Sequence, residues 1–523
     1  MKKFKPQLLM LLTLLCNCIY AQSKQDKPNL LFIIVDQLRY DAISIAGNQI
    51  VKTPNIDRIG QRGVYFKNHY TPMAVCAPAR AAILTGRTVE NTGVVNNELA
   101  GKPVPGVMEQ QTYDEILTST GYRAEYYGKF HSPEIHALVY QNPEKLTSSG
   151  KSVFANGGMQ QHYRDFLKRL PGAASKSEFV DGFSGKPYTP NPLDKYFNNG
   201  GAPGKKYIQP DFHGRLDIPD GYSITAMQGE ETIEALGRLK NQPFSLTCSF
   251  HLPHAPMLPT AKYYQMYPPD KMKAPASIND NMENSPYKKA NGRLDLPEYA
   301  DSAKIKYMIS EYYGLVKEVD DWVGKILDKL DELQLTDKTM VIFTADHGEM
   351  LGAHGLREKN VFYEESAHVP LMIQFPGSIK PRTVINHYTT GVDLFATIFD
   401  YLRQPAKPSD GSSMRDLIEK KKTTRPDYIV TEWLYRGDSE PNYMIIKDGW
   451  KMFIPQTPTS PVIDVLYNLK EDPHEMNNLI GNNDKQKKYL GKVNELKADL
   501  LQWLSKNNSK NFYGVKERNI VKN

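Results

Sequence analysis

One cysteine stands at the start of a segment whose other residues could make it reactive. Cys76 opens a Cys-Ala-Pro-Ala-Arg run that ends at Arg80, and Arg87 follows seven residues later. Pro78 suits the first turn of a helix, where a missing N–H costs little, and residues 81–84 favour helix. Cys76 would then lie at the positive end of a helix dipole, beside guanidinium groups. Such a place binds an oxyanion and activates a nucleophile, whereas a lone cysteine at a helix start is more often structural.

Polar residues that directly follow two apolar runs could bind a metal ion. The runs at residues 30–35 and 340–344 are typical of buried parallel strands. The residues that follow them are Asp36, Gln37, Asp346 and His347. Two carboxylates, an amide oxygen and an imidazole suit a divalent cation. Calcium prefers oxygen ligands, and the imidazole nitrogen leaves magnesium or manganese open.

Lysine and histidine residues after two further strand-like runs could bind an anion and transfer protons. The runs at 122–127 and 244–250 are followed by Lys129 with His131 and by His251 with His254. A histidine whose pKa lies near neutrality suits general acid catalysis. The candidate proton donors therefore follow strand-like runs, as Asp36 and Asp346 do.

Strands that alternate with helices predict an α/β fold with helices on both faces of a central sheet. Functional groups of such sheets gather at the carboxyl ends of the strands, so Asp36 and Asp346 can be neighbours although they are 310 residues apart. The predicted strands cover 30–35, 64–70, 122–127, 244–250, 340–344 and 370–375. The predicted helices cover 55–62, 113–119 and 303–333, the last broken near Gly314 or Gly324.

The pattern changes twice along the chain. Residues of about 145–225 are rich in Gly, Pro, Asn, Lys and Tyr, which predicts an insertion of long loops within a catalytic domain at 22–425. From 426 to 523 the chain predicts a small α+β subdomain with a four-stranded antiparallel sheet. Its predicted elements are strands at 428–433, 443–446 and 450–454 and a final helix at 486–505.

The first 21 residues are typical of a secretory signal peptide. Three lysines precede an apolar run at 8–15 that is short for a membrane span, and Ala21 provides a cleavage point. We expect an exported protein, periplasmic or secreted, without stable membrane insertion. A lipid anchor at Cys16 or Cys18 is the weaker alternative, because a bulky and a polar residue precede them.

Length, charge and cysteine content narrow the class of protein. A chain of 523 residues with 40% hydrophobic residues can build one large and one small domain. The net charge of +6 falls to +3 once the lysines of the signal segment are removed, which is too mild to indicate a nucleic-acid partner. Cleavage leaves Cys76 and Cys248, so modification of Cys76 would leave no pair for an intramolecular disulfide.

The twelve residues from Cys76 to Arg87 resemble the signature of the type I sulfatases, in which this cysteine is converted to formylglycine. Further matching segments recur over residues 28–485, among them the run 346–359 and a C-terminal motif at 466–479. The resemblance implies the alkaline-phosphatase-like fold, with a mixed central sheet, and a formylglycine-generating maturation enzyme as a partner. Many sulfatases have a second aspartate where this chain has Gln37, a feature shared with choline sulfatases and phosphonate monoester hydrolases of the same superfamily.

The resemblance also implies roles for individual residues. Arg80 would stabilise the formylglycine hydrate with support from Arg87, His131 would assist collapse of the intermediate, and His254 would protonate the leaving oxygen. Glu349 is interpreted as structural, and His354 either faces the site or supports its loop. One divalent cation, most readily Ca²⁺, would be held by Asp36, Gln37, Cys76, Asp346 and His347. The substrate contacts would be Lys129, Asn97, Lys359 and His368.

These roles imply hydrolysis of a sulfate ester on a carbohydrate, such as ulvan, carrageenan or a glycosaminoglycan. A hydrated aldehyde carries two hydroxyls: one attacks sulfur and expels the alcohol, and the other then collapses to the carbonyl and ejects sulfate. Two alternatives stay open. One is a phosphonate or phosphate diester hydrolase, because the same site binds any tetrahedral anion. The other is a non-catalytic carbohydrate-binding relative, in which Cys76 would stay unconverted.

Overall fold

A computed structural model describes residues 27–101, 103–142, 146–147, 162–163, 166, 169, 178–181, 213–287, 297–435 and 437–520. The predicted signal peptide at 1–21 and most of the predicted insertion at 145–225 lie outside these residues. Among the described residues, no helix combines the length and the apolar character needed to cross a bilayer. Both described cysteines, Cys76 and Cys248, are buried and free.

The described part of the chain is built on a mixed eight-stranded sheet. Its strands are β1 (Asn29–Val35), β2 (Val64–Phe66), β4 (Arg123–Lys129), β5 (Leu146–Thr147), β8 (Phe244–Phe250), β9 (Thr339–Ala345), β10 (Leu371–Gln374) and β11 (Thr383–Ile385). They are arranged in the order β11-β2-β10-β9-β1-β8-β4-β5. All neighbouring strands are parallel except at β10, which is antiparallel to both β9 and β2. The mixed sheet confirms the predicted fold class.

Among the residues that the structure describes before 426, four short strands lie outside this sheet. They are β3 (His69–Tyr70), β6 (Glu178–Asp181), β7 (Gly214–Asp217) and β12 (Thr389–Thr390). They form two separate pairs, β3 with β12 and β6 with β7. The predicted extended run at 64–70 therefore divides, since its end pairs with β12 instead of continuing β2.

The register of the central strands brings their carboxyl ends to one edge. Val35 of β1 pairs with Phe250 of β8 and with Ala345 of β9. On the other side of β8, Ser249 pairs with Gly128 of β4. The residues that follow these strands therefore emerge side by side, as expected for the functional edge of such a sheet.

Alternate side chains of β1 enter two separate cores. Leu31, Ile33 and Val35 join one apolar cluster, and Leu30 and Phe32 join the cluster on the opposite face. This period of two follows from the pleat, which sends successive side chains to opposite faces. The helices are α1 (Pro54–Arg62), α2 (Cys76–Thr85), α3 (Val89–Thr92), α4 (Tyr113–Ser119), α5 (Ile224–Leu239), α6 (Ala261–Met266), α7 (Ile305–Glu332), α8 (Glu364–Ala367), α9 (Asp393–Tyr401), α10 (Arg415–Ile418), α11 (Leu490–Lys506) and α12 (Phe512–Glu517).

The predicted break near Gly314 or Gly324 is wrong, because α7 runs without interruption from Ile305 to Glu332. Both glycines instead permit close packing. A Cβ at Gly314 would lie 2.9 Å from the carbonyl oxygen of Tyr263, and one at Gly324 would lie 2.6 Å from the side chain of Asn55. Tertiary packing outweighs the modest helix penalty of glycine at these positions.

A four-stranded antiparallel sheet follows the central sheet in the chain and confirms the predicted C-terminal architecture. Its strands, in spatial order, are β13 (Tyr428–Glu432), β14 (Tyr443–Lys447), β15 (Trp450–Ile454) and β16 (Val465–Asn468). One face packs against α11 and α12. The other face joins an apolar cluster with Met350, Phe362 and Tyr363 of the large domain. The domain boundary at 425/426 stays a prediction.

Candidate active site

Cys76 is the first residue of α2, as predicted, and its thiol points into a buried polar cluster. Its Sγ lies 3.0 Å from Nε2 of His347 and 3.7 Å from Oδ1 of Asp36. Asn97 lies beside the same helix start, where its Oδ1 accepts a 3.0 Å hydrogen bond from the N–H of Ala77. This contact anchors the first turn of α2, and the predicted contact of Asn97 with substrate stays a prediction.

Four residues form a buried donor set that suits a metal ion. One ligand atom from each of Asp36, Cys76, Asp346 and His347 lies within 4.8 Å of the others. Nδ1 of His347 donates to the carbonyl oxygen of Gly348 at 3.0 Å, so in the neutral ring the lone pair lies on Nε2, which faces Sγ of Cys76. A backbone acceptor for the second nitrogen is typical of a ligating histidine. Two carboxylates and this imidazole fit one divalent cation.

The backbone around the donor set holds the carboxylates in place. Oδ1 of Asp346 accepts hydrogen bonds from the N–H groups of Gln37 (3.1 Å) and His347 (2.9 Å). The hydroxyl of Thr71 donates to the carbonyl oxygen of Asp346 at 2.5 Å. The two strand ends are therefore linked directly to each other, which fixes the distance between the carboxylates before any ion binds.

Arg80 is buried next to Asp346. Its Nε donates to Oδ2 of Asp346 at 2.8 Å, and its Nη1 donates to Oγ of Ser249 at 2.8 Å and to the carbonyl oxygen of Lys129. Nη2 has no protein partner among the described residues. Arg80 therefore balances a carboxylate of the donor set, and its action on a formylglycine hydrate stays a prediction.

Cationic groups surround the thiol of Cys76. Burial alone would raise the pKa of the thiol, but Lys129, His347 and Lys359 hold it well below its usual range. Lys129 also forms a buried ion pair with Asp36. Burial and Cys76 would raise the pKa of Asp36, whereas Lys129 and the other cations lower it. The site therefore favours negative charge at position 76, as an oxyanion site must.

His131 lies at the edge of this cluster with a left-handed backbone, φ +47°. Burial lowers the pKa of His131, and a hydrogen bond with Cys76 opposes the shift. Its Nδ1 is buried and has no protein partner among the described residues. The ring thus touches the predicted nucleophile and keeps one nitrogen available.

Lys359 contacts both Gln37 and His254. Nζ of Lys359 lies 2.9 Å from Nε2 of His254 and donates to Oε1 of Gln37 at 2.7 Å. Nδ1 of His254 donates to the carbonyl oxygen of Ala255 at 2.7 Å, so Nε2 is the nitrogen that faces the site. His251 is buried below, with its Nδ1 against the carboxamide of Gln228. The structure thus connects His254 to the cluster through Lys359.

Two other predicted residues have partners other than the thiol. Arg87 forms a 2.9 Å ion pair with Asp410, and its predicted support of Arg80 stays a prediction. His354 pairs with Asp280 at 2.7 Å and stacks on Tyr363, which favours loop support.

His368 stacks between Tyr40 and Tyr70, with ring centroids 4.0 and 4.6 Å away. Its Nδ1 lies 2.9 Å from Glu364, and its Nε2 donates to the carbonyl oxygen of Lys67 at 2.7 Å. Both ring nitrogens are therefore engaged within the protein. A substrate contact of His368 stays a prediction.

Three hydroxyl residues that the sequence does not predict also support the site: Ser249, Tyr126 and Tyr312. The hydroxyls of Ser249 and Tyr126 both donate to the carbonyl oxygen of Lys129 at 2.7 Å, and that of Tyr312 donates to the carbonyl oxygen of Gln37 at 2.7 Å. Only the strand register and the packing of α7 bring these hydroxyls to the site. No local signal in the sequence distinguishes them from other buried hydroxyl residues.

Comparison with known proteins agrees with this geometry. Residues 28–404 match the sulfatase family model, and residues 352–506 match the C-terminal model of N-sulphoglucosamine sulphohydrolase. An arylsulfatase of Clostridium perfringens is 29% identical over 89% of this chain and 93% of its own length. An N-acetylglucosamine-6-O-sulfatase of Bacteroides thetaiotaomicron is 26% identical over 91% of this chain and 86% of its own length.

The fold also has a solved counterpart in a phosphonate monoester hydrolase of Agrobacterium radiobacter. The TM-score is 0.73 at 23% identity, over 92% of this chain and 96% of that one. One assignment accounts for the family match over most of the chain, the mixed α/β sheet and the buried cysteine with cationic neighbours at a helix start. The chain belongs to the type I sulfatase family of sulfuric ester hydrolases, within the alkaline phosphatase superfamily.

Proposed function

We propose that the protein hydrolyses sulfate esters on a sulfated carbohydrate, with a formylglycine derived from Cys76 as the nucleophile. The observation that carries the proposal is the charge around Cys76. Lys129 and Lys359 favour an anion at this position although it is buried. A sulfate ester brings a tetrahedral anionic group to such a site, and fixed cations stabilise the charge that develops on it.

A single divalent cation completes the proposed site, Ca²⁺ in the first instance and Mg²⁺ or Mn²⁺ as alternatives. Asp36, Asp346 and His347 would hold it together with the group at position 76 and Oε1 of Gln37. When bound, the cation supplies a Lewis acid for sulfate oxygens and for a hydroxyl at position 76. The convergence of two buried carboxylates and an imidazole nitrogen within one donor set supports this assignment, because divalent cations take these ligand types.

The residues around position 76 divide into anion binding and proton transfer. A hydrated aldehyde at position 76 would supply an attacking hydroxyl and a second hydroxyl that permits release of sulfate. Lys129 and Lys359 bind the sulfate oxygens as point charges. His131, in contact with the group at position 76, accepts its proton.

His254 donates a proton to the oxygen of the leaving alcohol. Its Nδ1–H is fixed on the carbonyl oxygen of Ala255, so Nε2 carries the transferred proton. Arg80 acts on the sulfate indirectly, because it holds Asp346 and the carbonyl oxygen of Lys129 in place.

The carbohydrate part of the proposal rests on relatives such as the N-acetylglucosamine-6-O-sulfatase. Ulvan, carrageenan and glycosaminoglycan fragments are the substrate classes to test. The proposal includes export to the periplasm or the medium and a formylglycine-generating enzyme as the maturation partner. The signal-like segment at 1–21 supports export, since it joins lysines to a short apolar run.

A second candidate is hydrolysis of phosphonate monoesters or phosphate diesters. The observation that favours it is Gln37, which places a neutral amide beside Lys359 where many sulfatases have a carboxylate. With Gln37 in place of an aspartate, the site carries one negative charge fewer, which changes the substrate charge that it can balance. The cations around Cys76 bind either kind of tetrahedral anion.

One experiment separates these functions. Protein is co-produced with a maturation enzyme, and mass spectrometry of the peptide around Cys76 confirms the aldehyde. It is then incubated with sulfated oligosaccharides, nitrophenyl sulfate and a phosphonate monoester, and products are read by released anion and by NMR of the sugar. Sulfate release from defined sugar positions is the expected result. Preference for the phosphonate would favour the second candidate, and converted protein that releases no anion would contradict both.

A further inference from the structure

Glu349 lies three residues after Asp346, and its carboxylate joins two parts of the site. One oxygen, Oε2, accepts a short hydrogen bond from Nε2 of Gln37. The other, Oε1, accepts from the N–H groups of Leu351 (2.9 Å) and Glu358 (2.6 Å). The side chain is 1% exposed. Both oxygens are therefore used within the protein.

The chemistry of the two groups determines which way the amide of Gln37 faces. A carboxylate has only acceptor atoms, whereas a carboxamide has a donor end and an acceptor end. Next to Glu349 the donor end must face the carboxylate, so Oε1 faces the opposite way. There it accepts the 2.7 Å hydrogen bond from Nζ of Lys359.

The backbone of Gln37 is fixed as well. Its φ is +66°, its N–H donates to Asp346 at 3.1 Å, and its carbonyl oxygen accepts from Tyr312 at 2.7 Å. With the backbone held at both ends, the side-chain torsions remain free, and they decide which end of the amide faces Lys359. Glu349 removes that freedom without touching the predicted nucleophile.

We propose that Glu349 is a positioning residue, which locks the carboxamide of Gln37 with its oxygen toward Lys359 and the divalent cation. This inference rests on the cation site of the proposed function. The same carboxylate closes the loop from Leu351 to Glu358, the segment that leads into Lys359. Glu349 thus sets both the orientation of the Gln37 carboxamide and the position of Lys359.

The substitution Glu349→Gln changes one acceptor into a donor and keeps the shape. The new amide at this position would retain an oxygen for the N–H groups of Leu351 and Glu358 but would turn its NH₂ toward the NH₂ of Gln37. To avoid two facing donors, Gln37 must rotate, and its NH₂ then faces Lys359 and the cation. We expect cation affinity to fall about 10–100-fold, the usual range for loss of such a supporting contact.

The exchange Q37E/E349Q tests the orientation directly. The amide introduced at position 349 donates to one oxygen of the carboxylate introduced at position 37, whose other oxygen again faces Lys359 and the cation. We therefore expect the double variant to recover at least wild-type affinity. Glu432→Gln is the matched control, because it makes the same change in a buried carboxylate that accepts from Val89 and Glu90 at the C-terminal sheet.

The measurement is calorimetric titration of Ca²⁺, Mg²⁺ and Mn²⁺ into the full-length chelator-treated protein, with thermal unfolding in EDTA as a check on folding. The proposal is supported if E349Q binds the cation weakly, Q37E/E349Q recovers wild-type cation affinity and E432Q keeps it. Wild-type affinity in folded E349Q overturns it. If E349Q does not fold, the double variant decides alone: wild-type affinity supports the pairing and weak binding contradicts it. A wild-type protein that binds no cation would instead overturn the cation site of the proposed function.

Discussion

The Sγ of Cys76 and the Nε2 of His347 lie 3.0 Å apart, although 271 residues separate them in the chain. Cys76 begins helix α2, and His347 follows strand β9. The helix start and the strand end therefore lie side by side, which brings the proposed nucleophile next to the candidate cation site.

Replacement of Cys76 by alanine removes the group that we propose is converted to the nucleophile. We expect sulfate release to fall by at least about 10³-fold, because loss of a covalent nucleophile leaves only binding and electrostatic contributions. Cys248→Ala is the matched control, since this buried thiol lies within strand β8. Released sulfate and the mass of the peptide around position 76 are the measurements. Undiminished desulfation by the Cys76 variant would contradict the mechanism.

His254 is tested by the dependence of its loss on the leaving group. We expect His254→Asn to lower kcat about 10²–10⁴-fold on a sugar sulfate, because the departing alkoxide needs a proton. The loss on nitrophenyl sulfate should be much smaller, since nitrophenolate leaves without one. His251→Asn is the control, and its effect should not differ between the two esters. Equal losses of His254→Asn on both esters would exclude His254 as the acid.

Lys129 is tested through the stability of the cation-free protein. Lys129→Met leaves the Asp36 carboxylate buried without its ion-pair partner. We expect unfolding in EDTA to become easier by about 3–5 kcal/mol, and the loss to shrink when Ca²⁺ is present and replaces the missing charge. Lys317→Met, which breaks the 2.8 and 2.6 Å ion pairs with Asp320 and Asp321 on α7, is the control. Its loss should be the same with and without Ca²⁺. An equal loss for Lys129→Met in both conditions would argue against a cation beside Asp36.

Glu432 makes stability depend on pH at the junction with the C-terminal sheet. Burial raises the pKa of Glu432 from its ordinary value of 4.5 to about 8. Between these values the folded protein keeps a proton that the unfolded chain loses, so the free energy of unfolding falls as pH rises through this window. Glu432→Gln removes the titrating group, and we expect the variant to lose less stability than wild type between about pH 5 and about pH 8. Urea unfolding at several pH values measures this difference, and parallel curves for the two proteins would contradict it.

Local patterns were enough to predict most of the fold. The apolar runs at 30–35, 244–250 and 340–344 are strands β1, β8 and β9 within one or two residues. Three strands of the C-terminal sheet follow the predicted strands in the same way, whereas no bounds were predicted for the fourth, β16. Each of these elements is encoded by a short run of hydrophobic residues with its own boundaries, so the neighbouring sequence is sufficient.

Part of the site was also predictable, because parallel strands bring their carboxyl ends to one edge. Asp36, Asp346 and His347 lie together with Cys76 for that reason. The ion pair of Arg87 with Asp410 could not be predicted, because the neighbouring sequence says nothing about a partner 323 residues away. The predicted break in α7 is wrong, because its two glycines permit close packing against other segments of the chain and do not interrupt the helix.

The sequence by itself determined the element types, the order of the motifs and the chemical groups available at the strand ends. Only the tertiary structure decided which of these groups touch, as in the hydrogen bond from Gln37 to Glu349 across 312 residues. The physical reason is range. Hydrophobic periodicity acts over a few neighbouring residues, whereas a side-chain contact depends on strand register, backbone dihedral angles and rotamers that are set by packing of the whole domain.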